Sequence, residues 1–167
     1  MKQVYFIIAM LCGLALGGQA QGIRFAEGSW KDLLETAKKE GKLIFVDCYT
    51  EWCQPCKQME QQVFPSKKVG KFYNEHFINV KMDMEKGEGP ALAKKYEVQA
   101  FPTLLYIDSK GELKHCVVGM QDADGLIGNG RTALSGEASL ETLQARYEAG
   151  ERDEAFVKQY MEVLYKA

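Results

Sequence analysis

Between residues 29 and 118 the apolar positions alternate between two spacings. Leu33, Leu34 and Ala37 recur at helical intervals behind Ser29, with Asp32 in the first turn and Gly41 beyond the last. A capping hydroxyl, an early carboxylate and a terminal glycine frame a helix there. Residues 43–49 (LIFVDCY) form a nearly continuous apolar run of strand length, the pattern of a strand covered on both faces. Cys56, Met59 and Val63 return to helical spacing, and Pro65 stops or kinks that helix. Ser66 is placed to cap a restart in which Val69, Phe72 and Tyr73 face inward. Residues 77–83 (FINVKMD) predict a second strand, and Pro90 suits the first turn of a helix running to about Tyr96. Residues 103–107 (TLLYI) and 113–118 flank the turn Asp108-Ser109-Lys110-Gly111 as a hairpin.

Helix, strand, helix, strand, helix, hairpin is an α/β order, a central mixed sheet flanked by helices. The tail differs. Residues 122–134 carry Gly125, Gly128 and Gly130. They match neither glycine pattern of a phosphate loop, and no helix is predicted there. Leu140, Leu143 and Tyr147 share one helical face, Gly150 breaks the chain, and Phe156, Val157, Tyr160 and Leu164 make a second face behind Asp153. Such a pair either packs on the domain or offers a contact to a partner or a second copy. The expected division is a domain over residues 21–134 and a helical C-terminal extension over residues 135–167.

Residues 1–20 read as a secretory signal peptide. Lys2 precedes a mostly apolar run from Val4 to Leu16, and Gly18-Gln19-Ala20 supplies small residues at a cleavage site. The run is shorter than the roughly 20 apolar residues of a membrane-spanning helix, so export is favoured over anchoring. Cys12 follows Ala9-Met10-Leu11, a poor match to a lipidation signal. Cleavage leaves Cys48, Cys53, Cys56 and Cys116 in a compartment where disulfides persist. A chain of 167 residues with 46% hydrophobic composition buries a core without staples, so structural disulfides are permitted and not required. The net charge of −2 supplies no basic field for nucleic acid. His76 and His115 lack metal-ligand spacing.

The chemistry concentrates in residues 49–57, YTEWCQPCK. A two-residue gap at a helix start puts two sulfurs one turn apart, within bonding reach. Cys53 would sit at the end of the helix that favours a thiolate, the nucleophile of disulfide exchange. Cys56, one turn inside, is expected to be more buried and more protonated. Asp47 ends an otherwise apolar strand, where burial raises a carboxyl pKa, and strand alternation puts it on the face of Phe45 and Tyr49 with Cys48 opposite. From there it can take a proton from Cys56. Metal is the rival. Cys48, Cys53 and Cys56 have the C-x4-C-x2-C spacing of plant-type ferredoxins, and Cys116 would complete four thiolates for a cluster or zinc. Against it, Cys48 belongs to an apolar strand, and ligation leaves Trp52 and the Gln-Pro pair unexplained.

YTEWCQPCK, Asp47 six residues before Cys53, and Phe101-Pro102-Thr103 before a strand resemble the thioredoxin superfamily, over roughly residues 25–120. Lys57-Gln58-Met59-Glu60 and Val63-Phe64 are similar to the C-terminal periplasmic domain of the thiol:disulfide interchange transmembrane reductase, and to small exported thioredoxin-like proteins. The resemblance implies a thioredoxin fold, a redox disulfide Cys53–Cys56, and a cis Pro102. It also implies a substrate-binding surface at Phe101 and Pro102, where backbone next to the proline pairs with the substrate's extended chain; Trp52 either joins that surface or packs over the cysteine loop. Asp47 assists Cys56. The implied activity is that of a periplasmic thiol–disulfide oxidoreductase, more a reductase than an oxidase. Its implied partners are disulfide-containing protein substrates and a membrane thiol reductase as electron donor. The exchange needs no cofactor; the alternatives are a thiol oxidase or isomerase, or a binding module on the same fold without turnover. The sequence departs from thioredoxin in its Gln-Pro dipeptide and in the lysine that neighbours thioredoxin's buried aspartate, for which Asn79 is the nearest equivalent expected here.

Overall fold

A computed structural model describes residues 22–136 and 140–165. The expected leader, residues 1–20, lies outside them. Helix α1 (Trp30–Glu40) starts at Ser29, whose hydroxyl accepts from Asp32 N at 3.2 Å, and ends at Gly41 in the left-handed region. Strand β1 (Leu43–Tyr49) leads through a short loop into α2 (Gln54–Gln62), then α3 (Lys67–His76) and β2 (Phe77–Asp83). Ser66 occupies the cap position of α3 but its hydroxyl makes no cap bond. Helix α4 (Gly89–Lys95) carries Pro90 in its first turn and precedes the hairpin of β3 (Thr103–Ile107) and β4 (Leu113–Val118).

The sheet order is β2-β1-β3-β4, with β1 parallel to β2 and antiparallel to β3. Alternation along β1 divides the core. Phe45 joins Met59, Tyr73, Phe77, Leu104, Tyr106 and Leu126 on the face covered by α2, α3 and the helix after the hairpin. Ile44, Val46 and Cys48 join Leu33, Ala37, Val80, Leu105 and Ile107 beneath α1. Removing this much apolar surface from water is the main source of stability, at about 25 cal/mol per Å². The two tyrosine hydroxyls within it are matched: Tyr73 Oη donates to Leu126 O at 2.6 Å, and so accepts from Tyr106 Oη at 2.6 Å.

Residues 122–134, to which the sequence pattern assigned no element, are helical. They form helix α5 (Ala123–Ser135), capped by Asp122, whose carboxylate accepts from Gly125 N at 2.7 Å. Its glycines obscured the helical spacing, but one of them is needed for packing. A Cβ at Gly130 would stand 2.7 Å from the ring of Phe72, so tertiary contact outweighs the helix cost of glycine. Two further helices follow, α6 (Leu140–Glu148) and α7 (Glu154–Tyr165). Leu143 and Phe156 are buried, with the Arg146 guanidinium 4.7 Å from the Phe156 ring centre. Tyr147, Met161, Leu164 and Tyr165 remain exposed.

Before α1 the chain runs extended beside β2. Ile23 N donates to Phe64 O and Ala26 N to Asn79 O, both at 2.8 Å. Asn74 clamps the same segment, accepting from Arg24 N and donating to Gly22 O. Among the described residues, no helix is long and apolar enough to cross a membrane.

Candidate functional site

The β1–α2 junction builds the site. β1 runs as a covered strand to Tyr49, and the Thr50 carbonyl then accepts from Cys53 N at 3.1 Å, turning the chain into α2. Cys53 is the N-cap of α2, and Pro55 lies in its first turn, where the missing N–H and fixed φ cost nothing. Cys53 and Cys56 form a disulfide with a Cα–Cα distance of 5.4 Å, and Cys56 N donates to Cys53 Sγ at 3.2 Å. The cap hydrogen bond that a serine or aspartate would accept is given to a sulfur. Together with the helix dipole, it stabilises negative charge on Cys53 when the disulfide opens.

The expected contrast in burial between the two cysteines is absent. Cys53 is 2% exposed and Cys56 4%. What distinguishes the two sulfurs is their position on α2 and their neighbours. Cys56 opens onto a cleft of about 450 Å³ that is also lined by Asp47, Tyr49, Thr50, Glu51, Lys57, Glu60 and Lys81. Cys53 does not line it.

Asp47 lines that cleft, 1% exposed, and its Oδ1 has no hydrogen-bond partner. Burial pushes its carboxyl up to about 7; the Lys81 charge opposes that rise and the Glu60 charge adds to it. The group is therefore poised to hold or release a proton near neutrality, as a general acid–base group requires. Lys81 is the residue directly opposite Asp47 in the β1–β2 register. This corrects the assignment of the lysine position to Asn79. Asn79 pairs with Phe45 two residues earlier and is bonded to Arg24 O and Asn74. The strand period of two puts both residues on one face, so only the register separates them. Lys81 is held by Glu60 at 2.5 Å and lies 4.9 Å from the Tyr49 ring centre.

The rim of the site comes from other elements. Trp52 is 65% exposed, its ring edge-on to Phe101 at 5.8 Å and its indole N–H donating to Glu85 at 3.0 Å. The Phe101–Pro102 peptide is cis, and Pro102 O accepts from Gly119 N at 2.8 Å. Thr103, next in the chain, pairs with Cys48 on one side and Val118 on the other. Residues 101–103 thus lie at the end of the sheet from which the cysteine loop leaves. Val118 and Met120, at the same end, are exposed apolar side chains.

Cys48 and Cys116 are thiols. Cys48 is buried on the α1 face, away from Asp47, and burial raises its pKa well above the ordinary value. Cys116 is half-buried against the same cluster. The alternation along β1 thus keeps Cys48 from joining Cys53 and Cys56 in one ligand set, and among the described residues no group of three His, Cys, Asp or Glu could hold a metal.

Sequence reading missed Lys81, Glu60, Thr50, Glu85, Val118 and Met120. Lys81 reaches Asp47 through strand register and Glu60 through its ion pair with Lys81, neither of which local spacing encodes. The others come near the site only through loop and register geometry.

The comparisons with known proteins agree with this geometry. A family model described as a thioredoxin-like domain matches residues 30–133. The thioredoxin of Echinococcus granulosus is 38% identical over 92 residues, spanning 55% of this chain and 79% of that protein. The thiol:disulfide interchange protein DsbD of Yersinia pestis is 33% identical over 76 residues, 45% of this chain but only 13% of DsbD. Among solved structures, a proposed disulphide-isomerase of Bacteroides thetaiotaomicron is 49% identical with a TM-score of 0.63, covering 69% of this chain and 95% of that one. The oxidised C-terminal domain of Neisseria meningitidis DsbD is 26% identical with a TM-score of 0.54, covering 65% and 97%. A mixed four-stranded sheet, a Cys53–Cys56 disulfide capping α2 and a matched stretch of residues 30–133 make this chain a member of the thioredoxin-like family with the dithiol of a thiol–disulfide oxidoreductase.

Proposed function

We propose that the chain is an exported protein-disulfide reductase of the periplasm, and one observation carries this reading: the Cys53–Cys56 disulfide caps α2 beside a cleft lined by a buried Asp47. Cys53, as thiolate, attacks a substrate disulfide; one substrate sulfur leaves as thiolate and the other is held in a mixed disulfide. Cys56 gives its proton to Asp47, attacks Cys53 Sγ and releases the second substrate sulfur. The substrate gains two electrons and Cys53–Cys56 is oxidised. Trp52, Phe101 and Pro102 form the surface on which the substrate chain lies. The likeness to the DsbD C-terminal domain supports a membrane thiol reductase as the donor that restores the dithiol. The apolar run before Ala20 supports export.

The test is the reduction potential of the Cys53–Cys56 couple, read by equilibration in defined thiol buffers and mass spectrometry. Thioredoxin lies near about −270 mV and strongly oxidising dithiol proteins near about −120 mV, a gap of roughly 7 kcal/mol. A value near the first supports the reductase. A value near the second reverses the direction of electron flow and favours the isomerase reading suggested by the Bacteroides structure. Cys56→Ser should accumulate mixed disulfides with its substrates on non-reducing gels, and their absence would remove the exchange mechanism.

A further inference from the structure

Two buried oxygens in the cleft lack partners, and only one of them belongs to the carboxylate. The other is Thr50 Oγ1. Thr50 is 1% exposed, follows β1 directly, and is fixed by its own carbonyl, which accepts from Cys53 N at 3.1 Å. Thr50 lines the same cleft as Asp47 and Cys56. A filler role does not account for the hydroxyl. A buried donor without a partner costs about 1–3 kcal/mol, whereas valine has the same shape without that cost. The cost is recovered if the hydroxyl is bonded in another state of the site.

The state that differs is the open one. When the disulfide is reduced or engaged with substrate, a Cys56 thiol and its proton enter the cleft. A hydroxyl accepts on its lone pairs and donates through its own hydrogen. With that capacity it can link a donor and an acceptor lining the same cleft, directly or with one water, and the cleft exceeds the roughly 30 Å³ a water occupies.

We propose that Thr50 is a positioning residue for the resolving step, its hydroxyl forming the link through which the Cys56 thiol proton reaches Asp47. This rests on the oxidoreductase reading above. In the mixed disulfide the Cys56 thiol hydrogen-bonds Thr50 Oγ1, and the Thr50 hydroxyl donates to Asp47 Oδ1. The proton passes along this link and Asp47 becomes the neutral acid. The Cys56 thiolate then attacks Cys53 Sγ, the Cys53–substrate bond breaks, and the substrate sulfur leaves as thiolate to be protonated by solvent. The charged and titratable groups facing this link are Lys81 from β2, Glu60 and Lys57 from α2, Tyr49 from β1 and Glu51 from the loop.

The experiment uses the reduced full chain carrying Cys116→Ser and an aromatic disulfide whose released thiol is coloured. The first release reports attack by Cys53, and the second reports resolution by Cys56. Thr50→Val is expected to leave the first phase within about twofold. It should slow the second about tenfold at neutral pH, a change of about 1.4 kcal/mol in barrier, and alter the second phase's pH profile. Thr50→Ser should restore both rate and profile. Second-phase rate and profile unchanged in Thr50→Val overturn the proposal, as does a slowdown that Thr50→Ser fails to rescue. If Thr50→Val does not fold, Thr50→Ala against Thr50→Ser makes the same comparison. Absence of both releases in the parent protein overturns the oxidoreductase reading itself, and the Thr50 proposal with it.

Discussion

Replacing Asp47 by asparagine removes one charge from the most buried part of the site and preserves its shape. In the folded protein burial holds this carboxyl near 7, against an ordinary value of 3.8. A rise of about 3 units corresponds to roughly 4 kcal/mol. The sign follows from proton binding. Below pH 3.8 the group is neutral folded or unfolded, and no penalty exists. Between 3.8 and about 7 the unfolded chain ionises first, so wild-type stability falls as pH rises; above about 7 the full penalty is present. The Asp47→Asn variant has no such dependence but buries an amide, whose unmet hydrogen bonds cost about 1–3 kcal/mol at every pH. Near pH 4 the wild-type carboxyl is itself neutral with Oδ1 unpaired, so the two proteins should be similar in stability there, and Asp47→Asn the more stable one at pH 8. The difference between the two should move by roughly 4 kcal/mol across that range. Guanidinium denaturation of the oxidised proteins at stepped pH measures it, and subtraction cancels the other titrating groups. Stability curves that stay parallel within about 1 kcal/mol would refute the reasoning. The functional counterpart is a resolving step slowed about a hundredfold in Asp47→Asn, the low end of general-base catalysis, with attack by Cys53 little changed.

Lys81→Met should push the Asp47 pKa higher still and Glu60→Gln should lower it, because their charges act in opposite senses; carboxyl-carbon NMR of the oxidised protein reads both. Trp52→Ala removes a side chain that is 65% exposed, so stability should change by no more than about 0.5 kcal/mol. Its kcat/KM on a protein disulfide should nonetheless fall about tenfold, and an unchanged value would remove Trp52 from the substrate surface. Gly70→Ala would place a Cβ 2.2 Å from Gly22 O, a backbone atom. It should cost about 1–3 kcal/mol, with faster amide exchange at Ile23 and Ala26, whose N–H groups hold the extended segment to Phe64 and Asn79.

The core domain was legible because its local signals agree with its tertiary role. Ser29, Asp32 and Gly41 bound α1, the apolar run 43–49 is covered on both faces, and Asp108 to Gly111 turn the hairpin. Cys53 and Cys56 are neighbours on one helix, so spacing alone brought their sulfurs within bonding reach. Asp47 was legible as an acid in a strand of hydrophobic residues. Helix α5 was not, because Gly125, Gly128 and Gly130 weaken the local helical pattern, and the close approach of Phe72 and Phe77 that requires glycine at 130 is a tertiary contact. The lysine position was misread because Asn79 and Lys81 lie on the same face of β2 and only pairing with β1 selects between them.

What the sequence determined by itself is therefore the order of elements from α1 to β4, the dithiol and the buried acid, since each depends on residues within a turn or a strand of one another. The tertiary structure alone decided that Lys81, Glu60 and Thr50 surround Asp47 and Cys56, and that Cys48 faces the other way. Strand register and packing across the sheet bring distant segments together, and these depend on how whole surfaces fit, which local spacing does not encode.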